Sequence, residues 1–379
     1  MELIKKYNQK RLNSLFCKLA KIPSPSGYEQ EISDFLISEL KKIEVPAKKD
    51  SYGNIVARIK GHGRALIFCA HMDTTNNDQQ ISVKPVVSKN TIINKTSVTL
   101  GADNKDAVAA ILETLTIIKE RKLKHRTLEI IFTKEEEAIS KGAKNLDLSL
   151  ISGKECIVAD SAGPFGKIIM SAPYCFEFEV KITGKKCHVK EPEKGVNASL
   201  IAARVIARLP LGRIDKLTTC NVAYSFSGLK GVYEQKNLSE LKDENSNSVP
   251  DFAVVLGEVR GADLKIVQKT LKEIEKIFSS ETKNLKGKME MIVTKLADGY
   301  LFKKDHLLIK QIGQIFREQG VKPKFINSVS GSDANILNGR GIISVCISSA
   351  YYEQHKNSEY LGLSDLYLLT DFFLKMAIV

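Results

Sequence analysis

Apolar residues follow two different spacings in the first part of the chain. They recur at helical spacing across residues 28–43, which predicts a helix there, with a shorter helix before it. The stretches 55–59, 65–70 and 128–132 are short and rich in apolar residues, as strands are, and a helix is predicted at 106–120 between the last two. Apolar strands that alternate with helices are typical of an α/β layer with a largely parallel sheet.

The pattern changes near residue 174. Residues 176–182 alternate strictly between apolar and polar side chains, as a strand with one solvated face does. Two helices and three further strands are then predicted, at about 197–209 and 262–278 and at about 220–226, 251–258 and 289–296. This β-α-β-β-α-β order is that of a ferredoxin-like sandwich.

The α/β pattern returns towards the end of the chain. A helix at about 305–319, an apolar strand at 341–346 and a final helix from Ser364 are predicted. We therefore expect an α/β domain that is interrupted by the ferredoxin-like α+β insertion. The predicted boundaries are 1–173 and 303–379 for the α/β domain and 174–302 for the insertion.

Composition and charge exclude several classes of function. The formal net charge of +13 would suit a polyanionic partner, but the lysines are scattered pairs, so we expect no nucleic-acid partner. No apolar run approaches the roughly 18 residues that cross a bilayer, and the first six residues lack the apolar stretch of a secretory signal. A cytoplasmic protein without a membrane partner is expected. Seven widely spaced cysteines indicate neither a disulfide framework nor a zinc ribbon.

Polar residues directly after apolar strands are the first candidates for a ligand site, because ligands of open α/β sheets bind at the carboxyl ends of strands. Four predicted strand ends and one predicted helix start carry such residues, namely His71 with Asp73, Glu135 to Glu137, Asp160, His355, and Asp103. Imidazoles and carboxylates that converge on one sheet edge are the ligand set of a divalent transition-metal site. Taken singly, Asp103 could cap its helix and the acidic triplet could be a solvated surface.

At these residues the sequence resembles the M20 family of metallopeptidases, specifically its peptidase T-like (tripeptide aminopeptidase-like) group. The likeness covers nearly the whole chain in the right order. In the first part it is carried by residues 22–27, 70–74, 100–105, 132–137, 142–143 and 160–164. In the remainder it is carried by residues 184–188, 192–195, 247–251, 331–335 and His355.

The resemblance implies two zinc ions in the α/β catalytic domain, with Mn²⁺ or Co²⁺ as substitutes, and a ferredoxin-like lid. By motif match, Asp103 would bridge the two metals. His71 and Asp160 would complete one metal site, and Glu137 and His355 would complete the other.

The resemblance also implies which residues act on the substrate water. Asp73 would orient His71, as metal-bound imidazoles generally require. Glu136 would be the general base, because the family places the base and the ligand three and four residues after a threonine, here Thr133. With this spacing, Glu135 has no predicted role.

Four further residues match substrate contacts of the family. His188 would stabilise the oxyanion of the tetrahedral intermediate, often from the partner subunit of a dimer, so a homodimer through the lid is an expected assembly. Arg260 would bind a substrate carboxylate, for which a forked guanidinium is suited. Asn247 and Gly331 match additional contacts. Without the family, His188 and Arg260 would be read as ordinary surface residues.

Several positions depart from the family pattern. Ile139 stands where a glycine is usual after the glutamate pair, Ser330 replaces a common glycine, and Lys356 replaces the threonine after His355. The departures leave the predicted metal ligands and base in place. They change the surroundings of the site, so the preferred peptide length does not follow from the resemblance.

The expected function is therefore dinuclear metal-dependent hydrolysis of an amide bond in short peptides, as in tripeptidase-like aminopeptidases. Metal-activated water would attack and Glu136 would accept its proton. Two alternatives stay open. An amidohydrolase that acts on N-acyl amino acids or another non-peptide amide would have the same site. A silent metal-binding regulatory protein would have no need of the Glu136 base.

Overall fold

The computed structural model describes residues 6–75, 82–235 and 247–378. Its helices are α1 (Lys6–Lys21), α2 (Gln30–Lys42), α3 (Ala102–Arg121), α4 (Lys141–Asn145), α5 (Ala198–Ile206), α6 (Lys230–Gln235), α7 (Leu264–Asn284), α8 (Leu307–Glu318), α9 (Asp333–Gly339) and α10 (Leu363–Ala377). Within these residues, no helix combines the length and the apolar character that crossing a membrane requires.

The strands form three sheets. They are β1 (Ala47–Lys49), β2 (Ile55–Ile59), β3 (His62–His71), β4 (Pro85–Ser88), β5 (Thr91–Asn94), β6 (Arg126–Thr133), β7 (Glu155–Ser161), β8 (Lys167–Ala172), β9 (Tyr174–Thr183), β10 (Gly212–Arg213), β11 (Thr218–Gly228), β12 (Phe252–Gly261), β13 (Lys288–Ala297), β14 (Tyr300–Leu301), β15 (Lys324–Asn327), β16 (Ile343–Ser348), β17 (Tyr351–Tyr352) and β18 (Tyr360–Gly362). The predicted mixed α/β fold class is confirmed.

The chain divides into two compact units, Met1–Ser171 with Leu301–Val379, and Ala172–Tyr300. Both predicted domain boundaries lie two residues after the observed ones. The second observed boundary lies within the short strand β14, Tyr300–Leu301. A function of the second unit as a lid stays a prediction.

The first unit is built on a sheet of order β1-β2-β6-β3-β7-β16-β8-β14, with β15 paired to β8. Strands β6, β3, β7 and β16 are mutually parallel. Strands β1 and β2 add an antiparallel edge. Because the four central strands point the same way, their carboxyl ends meet at one edge of the sheet.

Helices cover this sheet and bury its apolar strands. Helix α3 lies against α1, α10, β3 and β7, and its residues 102–115 are all buried. A helix that is enclosed on all sides needs no polar face, so its apolar residues are not confined to one stripe. Helix α1 has 16 residues and α2 has 13, so the prediction of a shorter first helix was wrong.

The second unit has the predicted β-α-β-β-α-β order, formed by β9, α5, β11, β12, α7 and β13. Its sheet is antiparallel, with the order β10-β11-β12-β9-β13. Phe178, Val180 and Ile182 of β9 are fully buried with apolar residues of α5 and α7, whereas the alternate residues of β9 are partly exposed. The strict alternation in the sequence therefore reflects one covered face and one solvated face.

Glu129 is a charged residue in the middle of the buried strand β6. Its side chain is fully buried, and its carboxylate accepts hydrogen bonds from the backbone N–H groups of Ser152 (3.0 Å) and Gly153 (2.9 Å) and from the Ser152 hydroxyl (2.8 Å). The guanidinium of Arg58 lies 3.5 Å away. Glu129 thereby holds the loop that leads into β7, and β7 carries one of the predicted site residues.

We expect the Glu129→Gln variant to lower the free energy of unfolding by about 1–3 kcal/mol, because its amide NH₂ would face buried N–H donors. Urea unfolding followed by circular dichroism measures the change. The matched control is Arg58→Met, which removes a guanidinium that is 52% exposed and should cost less than about 1 kcal/mol. Equal stability of Glu129→Gln and the wild type would contradict this account.

Candidate metal centre

Polar side chains of the first unit meet at the carboxyl ends of the parallel strands. His71 is the last residue of β3, and Asp160 is the last but one of β7. Glu136 and Glu137 follow the end of β6, and Asp103 is the second residue of α3. The parallel sheet thus brings together residues that are widely separated in the sequence.

His71 lies at the centre of the first group of contacts. Its side chain is 2% exposed, and its Nε2 atom lies 3.1 Å from Oδ1 of Asp103 and 3.6 Å from Oδ1 of Asp160. Its Nδ1 atom lies 3.3 Å from Oδ1 of Asp73 and 3.1 Å from the Asp73 carbonyl oxygen. One ring nitrogen therefore faces two carboxylates, while the other faces only Asp73.

His355 forms a second group of contacts around the same aspartate. Its Nε2 atom lies 2.9 Å from Oε1 of Glu137 and 3.4 Å from Oδ2 of Asp103. The two carboxylate oxygens of Asp103 thus face two different imidazoles. His355 has a φ of +62°, a left-handed conformation that histidine adopts more readily than most residues.

Asp73 connects His71 to the two glutamates that follow β6. Its Oδ1 atom accepts a hydrogen bond from the backbone N–H of Glu136 (2.9 Å). Its Oδ2 atom accepts from the backbone N–H of Glu137 (3.1 Å) and from the hydroxyl of Ser26 (2.7 Å). Because Asp73 is fully buried, these contacts fix the glutamate backbone relative to the imidazole.

Glu135 makes its contacts outside this cluster. Its carboxylate accepts a hydrogen bond from the hydroxyl of Tyr52 (3.1 Å) and lies 3.1 Å from Nζ of Lys141. Its backbone N–H donates to the buried carboxylate of Glu29 (3.1 Å). Glu135 therefore anchors the loop, whereas the next two glutamates lie in the cluster.

The cluster contains two groups of side chains that could hold a metal ion, with the ligand atoms of each group within 4.8 Å of one another. They are His71 with Glu136 and Asp160, and His71 with Asp103 and Glu137. Imidazole nitrogen and carboxylate oxygen are donors that zinc prefers, and the set matches that chemistry. Carboxylates that lie this close together with little exposure to solvent are stabilised by a positive charge between them.

The pKa values of the histidines and of Asp160 are raised, which indicates an excess of negative charge in the cluster. Burial alone would lower the pKa of His71, but hydrogen bonds to Asp103 and Asp160 outweigh it and raise that pKa well above its usual range. Hydrogen bonds to Asp103 and Glu137 raise the pKa of His355 to about 10. Burial raises the pKa of Asp160 to about 7, against the effect of His71. Divalent cations could supply the charge that these protons supply here.

Glu136 has the environment of a proton-transfer group. Burial raises the pKa of its carboxyl well above the usual range, and the neighbouring Asp160 raises it further. Its side chain retains partial exposure to solvent. A carboxylate whose affinity for a proton is increased in this way is suited to general acid–base chemistry at neutral pH.

Two residues outside the predicted set of ligands and substrate contacts position Asp103. The buried carboxylate of Glu359 accepts hydrogen bonds from the backbone N–H groups of Gly101 (2.7 Å) and Asp103 (3.0 Å). The Asn104 side chain donates to the carbonyl of Ala159 (2.6 Å), and the peptide between Asp103 and Asn104 is cis. Glu359 lies in a stretch without periodicity, so no sequence signal identified it.

The predicted substrate contacts lie in both units. Gly331 is exposed, two residues before α9 of the first unit. In the second unit, His188 forms an isolated bridge with Ser248, and the backbone carbonyl of Asn247 accepts a hydrogen bond from Val189 (2.9 Å). His188 and Asn247 are both exposed and lie on neighbouring segments.

Arg260 lies on β12 of the second unit and is partly buried. Its Nε atom donates a hydrogen bond to the carboxylate of Glu258. The hydrogen bond that Arg260 donates to Glu258 raises the pKa of Arg260, so the guanidinium stays charged. The predicted binding of a substrate carboxylate by Arg260 would have to compete with this intramolecular partner.

Comparison with known proteins identifies the family. Residues 67–378 match the sequence profile of peptidase family M20/M25/M40. The chain is 30% identical over 370 residues to the uncharacterized protein YqjE of Bacillus subtilis, covering 95% of each chain.

Among the solved structures that share this fold are an aminopeptidase and a tripeptidase. The aminopeptidase PepT of Bacillus cereus superimposes with a TM-score of 0.86 at 27% identity, covering 99% of this chain and 98% of the other. A tripeptidase of Staphylococcus aureus superimposes with a TM-score of 0.87 at 28% identity, covering 97% of each chain. The resemblance to peptidase T-like proteins is thereby confirmed, and the chain belongs to peptidase family M20/M25/M40.

Proposed function

We propose that the protein is a dinuclear metal-dependent aminopeptidase that hydrolyses an amide bond of short peptides. The observation that carries the proposal is the arrangement around Asp103, whose Oδ1 lies 3.1 Å from His71 and whose Oδ2 lies 3.4 Å from His355. A carboxylate that faces two imidazoles in this way is suited to bridge two cations. Family membership and the likeness to an aminopeptidase and a tripeptidase support the same activity.

In this proposal, Asp103 would be a ligand common to two zinc ions, or to Mn²⁺ or Co²⁺ in their place. His71 and Asp160 would complete the first site, and Glu137 and His355 would complete the second. The contact of His71 with Asp160 and that of His355 with Glu137 are consistent with this division. When bound, such a pair of cations lowers the pKa of a water molecule and polarises the scissile carbonyl.

Glu136 is proposed as the general base. A carboxylate oxygen of Glu136 accepts a proton from the attacking water and then transfers it to the nitrogen of the leaving amine. Asp73 supports both steps, because one carboxylate holds the His71 ring and the backbone N–H groups of Glu136 and Glu137. The imidazole is thereby kept in one orientation and the base close to it.

The residues proposed to bind substrate are His188, Asn247, Arg260 and Gly331. His188 would donate a hydrogen bond to the oxyanion, and Arg260 would exchange Glu258 for a substrate carboxylate. A homodimer through residues 172–300 belongs to the same proposal. These assignments rest on the motif matches, and the exposure of His188 and Asn247 is consistent with them.

A substrate panel tests the activity. We expect zinc-loaded protein to release the N-terminal amino acid from tripeptides, because the related aminopeptidase and tripeptidase are named for that class of reaction. Tripeptides, dipeptides, N-acetylated tripeptides and N-acyl amino acids are compared by chromatography of the products. Turnover confined to the N-acyl amino acids would favour the amidohydrolase alternative. No turnover by metal-loaded protein would contradict an enzymatic function.

The Glu136→Gln variant tests the base. We expect it to retain its metal and to lose at least about 10²-fold in kcat, because the amide cannot accept the proton of water. The matched control is Glu135→Gln, which changes the adjacent residue that binds Tyr52 and Lys141 instead. Wild-type kcat for Glu136→Gln, at equal metal content, would rule out the assignment.

Metal stoichiometry tests the bridging role of Asp103. We expect about two zinc ions per wild-type chain, about one for His355→Ala, and fewer than one for Asp103→Ala, because in the proposed division of ligands Asp103 serves both sites and His355 only one. Elemental analysis after dialysis gives the counts. Glu353→Gln is the control, because Glu353 lies in the His355 loop but pairs with Lys356 (2.8 Å). Equal losses for His355→Ala and Asp103→Ala would argue against a bridge.

A further inference from the structure

The loop that carries Glu136 returns on itself directly after the glutamates. Three backbone hydrogen bonds join its two sides, from Ser140 N–H to Glu136 C=O (2.7 Å), from Lys141 N–H to Glu135 C=O (2.9 Å) and from Gly142 N–H to Lys134 C=O (3.0 Å). This pattern brings the residue four positions after Glu136 back beside it.

Close packing holds the two ends of the loop. A Cβ atom at Gly142 would lie 2.2 Å from the Lys134 carbonyl oxygen and 2.6 Å from Oδ1 of Asn54, so only glycine fits there. The buried Asn54 side chain donates to the Gly142 carbonyl (3.1 Å) and accepts from the Lys134 N–H (3.1 Å). The loop therefore has a fixed width at its base.

The tip of the loop is held in an unfavourable backbone conformation. Ile139 has a φ of +68° and Ser140 a φ of +49°, so two consecutive residues are left-handed. This conformation is especially costly for a β-branched residue. Ile139 is 54% exposed, so burial of its side chain does not explain the strain.

The strained conformation directs the hydroxyl of Ser140 towards the proposed base. Ser140 is buried, and its Oγ atom donates a hydrogen bond to Oε1 of Glu136 (3.2 Å). The same hydroxyl also faces the buried carboxylate of Asp333, which is a second possible acceptor for its proton. Across the described residues, no other side chain donates a hydrogen bond to that carboxylate. Asp73 holds only the backbone of Glu136, so among the described residues the Ser140 hydroxyl is the side-chain donor that restrains the end of the Glu136 side chain.

We propose that Ser140 is a positioning residue, which holds the Glu136 carboxylate in the orientation for proton transfer through its hydroxyl. The inference rests on the proposed function, in which Glu136 is the base. A hydrogen bond to one carboxylate oxygen leaves the other oxygen available for the proton of water. It also removes rotamers in which the carboxylate faces away from the substrate.

Kinetics of hydroxyl-free variants test this inference on the zinc-loaded, full-length protein with a tripeptide substrate. We expect Ser140→Ala to lower kcat about 10-fold, the lower end of the range for a hydrogen bond to a charged group, with KM and metal content within twofold of wild type. Ser140→Gly should have the same kcat as Ser140→Ala. Because glycine tolerates the left-handed backbone, this variant replaces Ser140→Ala if the alanine variant folds poorly. Ile139→Gly is the matched control and should keep kcat within twofold, because glycine adopts the same left-handed conformation without strain and the Ser140 hydroxyl is retained.

A double-mutant cycle with Glu136→Gln separates positioning from a structural effect. We expect Ser140→Ala to change kcat by less than twofold when Glu136→Gln is already present, because a positioning residue acts only through its partner. Equal losses in both backgrounds, unchanged kcat of both Ser140 variants, or loss of metal would overturn the inference. Full activity of Glu136→Gln by itself would instead overturn the proposed base, and the inference with it.

Discussion

The structure of the site depends on placing several carboxylates side by side where little water reaches them. Asp103, Asp160 and Glu137 lie within 4 Å of an imidazole nitrogen, and Asp73 is fully buried behind them. Negative charge in such surroundings is tolerated only with hydrogen bonds or cations to balance it. The raised pKa values of His71 and His355 are one sign of this requirement. A dinuclear metal centre would balance this negative charge most directly.

The surrounding backbone is organised to satisfy the same carboxylates. Peptide N–H groups of the glutamate loop point at Asp73, and those of residues 101 and 103 point at Glu359. Two buried carboxylates thus hold the two segments that carry Glu136, Glu137 and Asp103. Rigid placement of this kind is what allows side chains from four strand or helix ends to keep a common geometry.

Two loops beside this centre contain strained backbone, although among the described residues Glu44, Lys89, Lys122 and Lys286 have positive φ elsewhere. Glu135, Ile139 and Ser140 in one loop, and Glu353 and His355 in another, have positive φ without being glycine. Such conformations persist where the surrounding contacts over-determine them, and they are common at functional sites. The apolar parallel strands beneath the site are fully buried and supply the stability that the loops lack.

Much of the fold could be predicted from the sequence, because apolar spacing directly reflects which faces are buried. The spacing of residues 55–59 predicted β2 at its observed bounds, and the alternation at 176–182 predicted the partly solvated strand β9. The positions of His71, Asp160 and Asp103 at strand and helix ends were also visible, since a parallel sheet places such ends at one edge. Only the tertiary structure decided which side chains meet. The contact of Glu359 with Asp103, the pairing of Arg260 with Glu258 and the approach of Ser140 to Glu136 depend on loop conformations and long-range packing, which leave no periodic signal in the sequence.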